Sequence, residues 1–267
     1  MKSISLRRKN LPKISDILNY LESFANPSYQ EDWDNSGCQI VFDKICKGIL
    51  LCMDVKDVDI DFALENDINL IISHHPFLFK AIKEINASSY KGKIIEKAIK
   101  NDISIYSSHT ALDLSQDGVT KAMALRLGIK DYSGLSEGEK GYYGGYGRLE
   151  MPCSFDSLID LVKAAFNPDF IKVYGRSKNE FKNIAWCGGA GSDFVLDAIQ
   201  KSADAYITGD ISYHFGQTAY ENNLCLIDIG HFSSEFPVLE HLKKKIESKF
   251  ELPIHISKNN LFLLNNF

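Results

Sequence analysis

The stretch Asn69-Leu70-Ile71-Ile72-Ser73-His74-His75-Pro76 decides how the chain is read. Its first half is an unbroken apolar run bounded by polar residues, as expected of a strand covered on both faces in a parallel sheet. Its second half puts two imidazoles at the strand's carboxyl end. Pro76 holds His75 away from helical geometry and sets a bend there. In open parallel sheets, that end is where ligands bind.

Outward from this stretch the same alternation recurs. Ile14 to Phe24 carries Ile14, Ile17, Leu18 and Leu21 at helical spacing. Gly48 to Met53 reads as a second buried strand, Asp57 to Asn66 as a helix, Tyr90 to Lys100 as a helix and Ile103 to Tyr106 as a strand. A helix from about Gly118 to Leu127 closes this half. The stretch Ser133 to Gly147, with Tyr142-Tyr143-Gly144-Gly145-Tyr146-Gly147, reads as a connector or exposed hairpin outside the core. Alternation resumes with a helix at Phe155 to Phe166 and strands at 184–187, 205–208 and 224–229. Helices are expected at 192–201, 212–221 and 234–249. The expectation is an α/β protein of two related lobes with mainly parallel central sheets. The first lobe is 1–130, residues 131–183 hold a connector and the start of the second, and 184–267 complete it.

The composition fits this reading. The chain has 267 residues, 45% hydrophobic and 24% charged, enough to bury a core and too apolar for a largely disordered chain. A net charge of −5 argues against nucleic acid as a main ligand. The basic clusters Arg7-Arg8-Lys9 and Lys243-Lys244-Lys245 read as a terminus and a solvated helix face. No apolar run is long enough to span a bilayer, and Leu11-Pro12-Lys13 follows the basic N-terminus where a secretory signal would be apolar. The six cysteines make no C-x-x-C pair, so they read as buried free thiols of a cytoplasmic protein.

The chemistry gathers at strand ends. Besides His74 and His75, His109 follows the strand ending near Tyr106, with Asp113 four residues on. His231 follows Ile227-Asp228-Ile229-Gly230, with Glu235 four residues on. That last spacing places both side chains on one helical face if a helix starts there. Singly, each histidine or carboxylate is as well explained as a satisfied polar group or a helix cap. Three strand ends bearing them in order point to a metal site. Imidazole and carboxylate ligands accept Zn, Fe, Mn, Co or Ni, so the donors do not choose the ion. Gly188-Gly189-Ala190-Gly191-Ser192 reads either as a tight turn or as an anion cradle at a helix start. Asp210 or Ser212 could cap the next helix, and His214 either lines the site or is an ordinary helix residue. Trp33-Asp34-Asn35-Ser36-Gly37 reads as a turn with a packed tryptophan.

Taken together, these segments resemble the NIF-three-like dinuclear-metal family, whose members often carry the label GTP cyclohydrolase I type 2. The segments are Trp33–Gly37, Ile71–Phe77, His109-Thr110-Ala111-Leu112-Asp113, Gly188–Ser192, Thr208-Gly209-Asp210 and Gly230-His231-Phe232-Ser233-Ser234-Glu235. They follow the family's order and span nearly the whole chain. The resemblance implies His74, His75, Asp113, His231 and Glu235 as ligands of two divalent metal ions per chain, with Glu235 bridging them. His109 would be a supporting ligand or proton-transfer group. It further implies a site in the cleft between the lobes, a toroidal homohexamer, and a metal-dependent hydrolase acting on a nucleotide-like substrate. A two-metal phosphoesterase and a non-catalytic metal-binding scaffold are the alternatives. Ala111 stands where the family often has Asn, and the 131–183 segment is too short for the extra domain many members insert.

Overall fold

The computed structural model describes residues 11–175 and 178–258. Arg7-Arg8-Lys9 lies outside the described residues. In chain order the elements are α1 (Ile14–Glu22), β1 (Gly37–Ile40), β2 (Ile49–Cys52), α2 (Asp57–Glu65), β3 (Leu70–Ser73), α3 (Tyr90–Lys100), β4 (Ser104–Ser107), α4 (Thr110–Asp113) and α5 (Val119–Leu127). They continue with β5 (Tyr132–Gly138), β6 (Gly141–Cys153), α6 (Phe155–Phe166), β7 (Lys172–Tyr174), β8 (Phe181–Ala190), α7 (Val195–Gln200) and β9 (Ala205–Gly209). The last are α8 (Tyr213–Glu221), β10 (Cys225–Asp228), α9 (His231–Glu235), α10 (Pro237–Glu247) and β11 (Ile254–Ile256).

Two compact units result. The first takes 11–23, Trp33–His109 and Leu242–Lys258; the second takes Phe24–Asp32 and the described residues of Thr110–His241. The boundaries therefore differ from the expected 1–130 and 184–267. Thr110 to Lys130 folds with the second unit. Residues 242–258 return to the first, because β11 pairs in parallel with β2 through Ile254–Ile49 and Ile256–Leu51.

In the first unit the sheet order is β1-β4-β3-β2-β11. β2, β3 and β4 are parallel neighbours, and β1 lies antiparallel on the β4 edge. Every residue of β2, β3 and β4 is buried, which is why these strands read as continuous apolar runs. Leu50, Ile71 and Ile105 pack with Ile60, Ile94 and Ile95 of the crossover helices. Each such side chain contributes about 1.5–3 kcal/mol by leaving water. Ser89 starts α3 by accepting the Gly92 N–H at 3.0 Å.

In the second unit the order is β5-β6-β8-β9-β10-β7. The centre, β8-β9-β10, is parallel, and antiparallel strands flank it. The Tyr-Gly stretch is no connector. It forms the interior of β6, which pairs with β5 on one side and β8 on the other. Its glycines make room for a large neighbour: a Cβ on Gly145 would lie 2.4 Å from the Trp186 ring. Trp186 is fully buried and donates its indole N–H to the Thr120 carbonyl at 2.9 Å. Trp186→Ala should therefore cost about 3–5 kcal/mol of unfolding free energy in a denaturant titration. A loss under about 1 kcal/mol would show that this packing is not as described.

Of the cysteines, Cys46, Cys52, Cys187 and Cys225 are buried free thiols. Burial pushes the Cys46 thiol up to about 12 and Cys225 up to about 11, so both stay neutral and unreactive near neutral pH. Cys38 departs from the expectation: it is exposed, at the edge strand β1. Among the described residues no helix is long and apolar enough to cross a membrane.

Candidate metal centre

In the first unit the parallel strands end together, and each end delivers a chemical group. Asp54 follows β2, His74 and His75 follow β3, and His109 follows β4. The chain stays in register past the strands: His74 N–H donates to Cys52 O at 3.0 Å and His75 N–H to Met53 O at 2.9 Å. Ser73 and Ser107 share a hydroxyl hydrogen bond of 2.8 Å across β3 and β4, and Ser73 also donates to the His75 carbonyl. This polar seam fixes the His-His bend. The three rings end up close together, with centroids 5.0 Å (His74–His75), 5.4 Å (His74–His109) and 5.6 Å (His75–His109) apart. Each offers a ring nitrogen within 4.8 Å of the others, a grouping able to hold a metal ion.

Each ring is held at its other nitrogen by an acceptor. His74 Nδ1 lies 3.0 Å from the Ser108 carbonyl, His75 Nδ1 2.9 Å from Asp54 Oδ1, and His109 Nδ1 2.8 Å from Asp34 Oδ1. Carbonyl and carboxylate oxygens only accept, so the proton of the neutral ring sits on Nδ1 and the lone pair on Nε2. That is the arrangement a divalent first-row metal requires of histidine.

The second unit repeats the device. Asp210 follows β9, His231 opens α9 three residues after β10, and Asp210 Oδ2 holds His231 Nδ1 at 2.8 Å. His231 Nε2 faces Glu235 Oε2 at 3.2 Å, one helical turn along α9. Glu235 is buried, and its carboxylate offers an oxygen within 4.8 Å of one from Asp113, at the end of α4. Burial pushes the Cys187 thiol up, and the negative Asp113 and Glu235 carboxylates push it further. Buried Asp228 shapes the turn before His231 by accepting the Gly230 N–H at 2.9 Å.

The glycine-rich segment has its explanation here. Gly188 and Gly189 end β8, and a Cβ on Gly189 would lie 2.2 Å from Glu235 Oε1. Gly189 also adopts φ +69 and donates its N–H to Ser234 Oγ at 2.9 Å. Gly188, Gly189 and Ala190 belong to strand β8, and the two glycines leave the space that Glu235 occupies. His214 is exposed on α8, edge-to-face with Tyr213. Asp210 caps nothing: it adopts φ +55 and orients His231. Sequence reasoning missed Asp34, Asp54 and Asp210 as orienting carboxylates. Asp54 carried a usable signal, since it directly follows a buried strand beside the one ending in His74-His75.

The comparisons with known proteins identify the family. A profile of the Duf34/NIF3 (NGG1p interacting factor 3) family matches residues 12–261. The chain belongs to the DUF34/NIF3 family. A relative from Clostridium acetobutylicum, named GTP cyclohydrolase 1 type 2 homolog, is 36% identical over 263 residues, covering 93% of this chain and 97% of its own. The solved structure of a Staphylococcus aureus hypothetical protein is 26% identical with a TM-score of 0.88, covering 97% of this chain and all of the other. A Bacillus cereus protein related to NIF3 shares the fold at TM-score 0.86 and 22% identity, with 95% and 98% coverage. In this DUF34/NIF3 chain the orienting carboxylates have a measurable role. Asp54→Asn should lower divalent-metal affinity about 10–100-fold, read by competition with a chelator. Unchanged affinity would mean that Asp54 does not tune His75.

Proposed function

We propose that the chain is a dinuclear metal-dependent hydrolase acting on a nucleotide-like substrate, with His74, His75, Asp113, His231 and Glu235 as ligands and Glu235 as the bridge. The observation that carries this reading is the bracing of the donor histidines. His74, His75 and His231 each have Nδ1 engaged by an oxygen acceptor, as a metal-ligating imidazole needs. The acidic partners are hard oxygen donors suited to the same ions, and membership of the family supports a metal-binding role for these residues. Divalent ions held there would supply an activated water nucleophile and stabilise the charge that develops on the substrate.

His109 moves the proton. Asp34 holds its Nδ1, so Nε2 takes or gives a proton while Asp34 stabilises the charged ring. The ring stays in place because its backbone N–H donates to Ser36 Oγ at 3.0 Å, and Ser36 donates in turn to Asp34 Oδ2 at 2.8 Å. The relatives' printed name motivates GTP as the first substrate to test, with phosphodiesters beside it. The test loads the protein with Zn, Mn or Fe(II) and offers both. Turnover is expected, and His109→Ala should slow it about 10²–10⁴-fold while leaving the metal bound. Full metal occupancy with no turnover of either compound would favour a scaffold. Hexamer formation is proposed with this reading and is read by light scattering, where a monomer would refute it.

A further inference from the structure

The segment read as a turn with a packed tryptophan is something else. Trp33 is 58% exposed and Phe79 is 42% exposed. Their ring centroids lie 6.0 Å apart at 60°, so they meet edge to face and do not cover one another. Both also meet His109 edge to face, at 5.8 Å and 6.4 Å. Large apolar rings facing water together, beside a group placed in the chemistry, mark a ligand surface more often than a packing accident.

The polar residues around them hold these rings in place. Asn35 Nδ2 donates to the Leu78 carbonyl at 2.7 Å, and the Leu78 N–H donates to Gln39 Oε1 at 3.0 Å. Gln39 Nε2 then donates to the Asn35 carbonyl at 2.8 Å. Both backbone groups of Leu78, the residue before Phe79, are thus tied to the loop that follows Trp33. On the other side Asp34 is tied to His109. The fold commits this network to keeping two exposed rings at a fixed separation, which lowers the entropy cost of binding a third.

We propose that Trp33 and Phe79 form an L-shaped clamp for the planar heteroaromatic ring of the substrate, a nucleobase or a ring of like size, which stacks on one of the two rings and meets the other edge-on. The clamp would set that ring against the His109 side of the site. A purely aliphatic or sugar-phosphate ligand would gain little from two π faces, whereas every nucleobase has a face to stack. The proposal rests on the reading of the site as one for a nucleotide-like substrate and names the residues that would select it.

Trp33 and Trp186 are the chain's tryptophans, and Trp186 is fully buried, so a ligand meeting the surface quenches Trp33. The experiment titrates full-length protein, with metal removed by chelator, with guanosine 5′-monophosphate or ribose 5-phosphate. Saturable quenching by the first and none by the second is expected. Phe79→Ala should weaken binding about tenfold, and Trp33→Phe should abolish the signal while calorimetry still detects binding. Equal binding by Phe79→Ala, or no saturable quenching, would overturn the clamp. So would shielding of Trp33 from acrylamide in the ligand-free protein, which would show a second copy covering it. Because the readout needs neither metal nor turnover, ring binding without hydrolysis sinks only the hydrolase reading. Hydrolysis without ring binding sinks only the clamp.

Discussion

Gly189→Ala is expected to weaken divalent-metal binding at least tenfold while leaving every proposed ligand in the sequence. Two effects act at that position. The backbone sits at φ +69, where a non-glycine residue costs about 1–3 kcal/mol. The new Cβ would also lie 2.2 Å from Glu235 Oε1, 3.1 Å from its Cδ and 3.4 Å from His231 Cε1. Glu235 cannot swing aside easily, because its side chain is only 5% exposed and faces His231 Nε2. The carboxylate moves out of position, and metal affinity falls at least tenfold, to about the extent seen when supporting groups are lost. Unfolding free energy falls by about 1–3 kcal/mol in a denaturant titration. Adding Glu235→Ala tests the cause: with the carboxylate gone, only the backbone penalty remains, so the double variant loses less than the sum of the single ones. Full additivity, or full metal retention in Gly189→Ala, would contradict the account.

Glu235→Gln gives the complementary result, loss of metal without loss of fold. Glutamine keeps the shape and can donate its amide N–H to the His231 Nε2 lone pair, so the metal-free protein should lose no more than about 1 kcal/mol. The charge that would hold cations is gone, and with it the proposed bridge. Occupancy should fall below one ion per chain by elemental analysis, a larger drop than removal of a terminal ligand such as His75 produces. Occupancy equal to that of His75→Ala would show that Glu235 binds one ion and bridges nothing.

These effects also show what the sequence made legible. β2, β3 and β4 could be read because they are buried on both faces and therefore apolar throughout. α3 and α6 were legible to the residue, since each starts at a serine cap and carries one apolar stripe. The hairpin reading of the Tyr-Gly stretch holds for the β5–β6 pair, but its placement outside the core does not: Gly145, which signals a turn locally, makes room for the Trp186 ring across the sheet. β1, β7 and β11 are short edge strands whose pairing depends on partners far along the chain. The histidines stood out by their place at strand ends. Their orienting aspartates did not: Asp34 lies 75 residues from His109 and Asp210 lies 21 from His231, distances that only the fold closes. Trp33 is the same lesson inverted, for a tryptophan near a turn is usually packed, and this one faces solvent.

The functional reading stands on the proposed two-ion centre. It is tested most directly by metal content per chain after loading and exhaustive dialysis, for the natural sequence, His74→Ala and His231→Ala. Two ions are expected for the natural sequence and fewer than two for each variant. Unchanged metal content in either variant would contradict it.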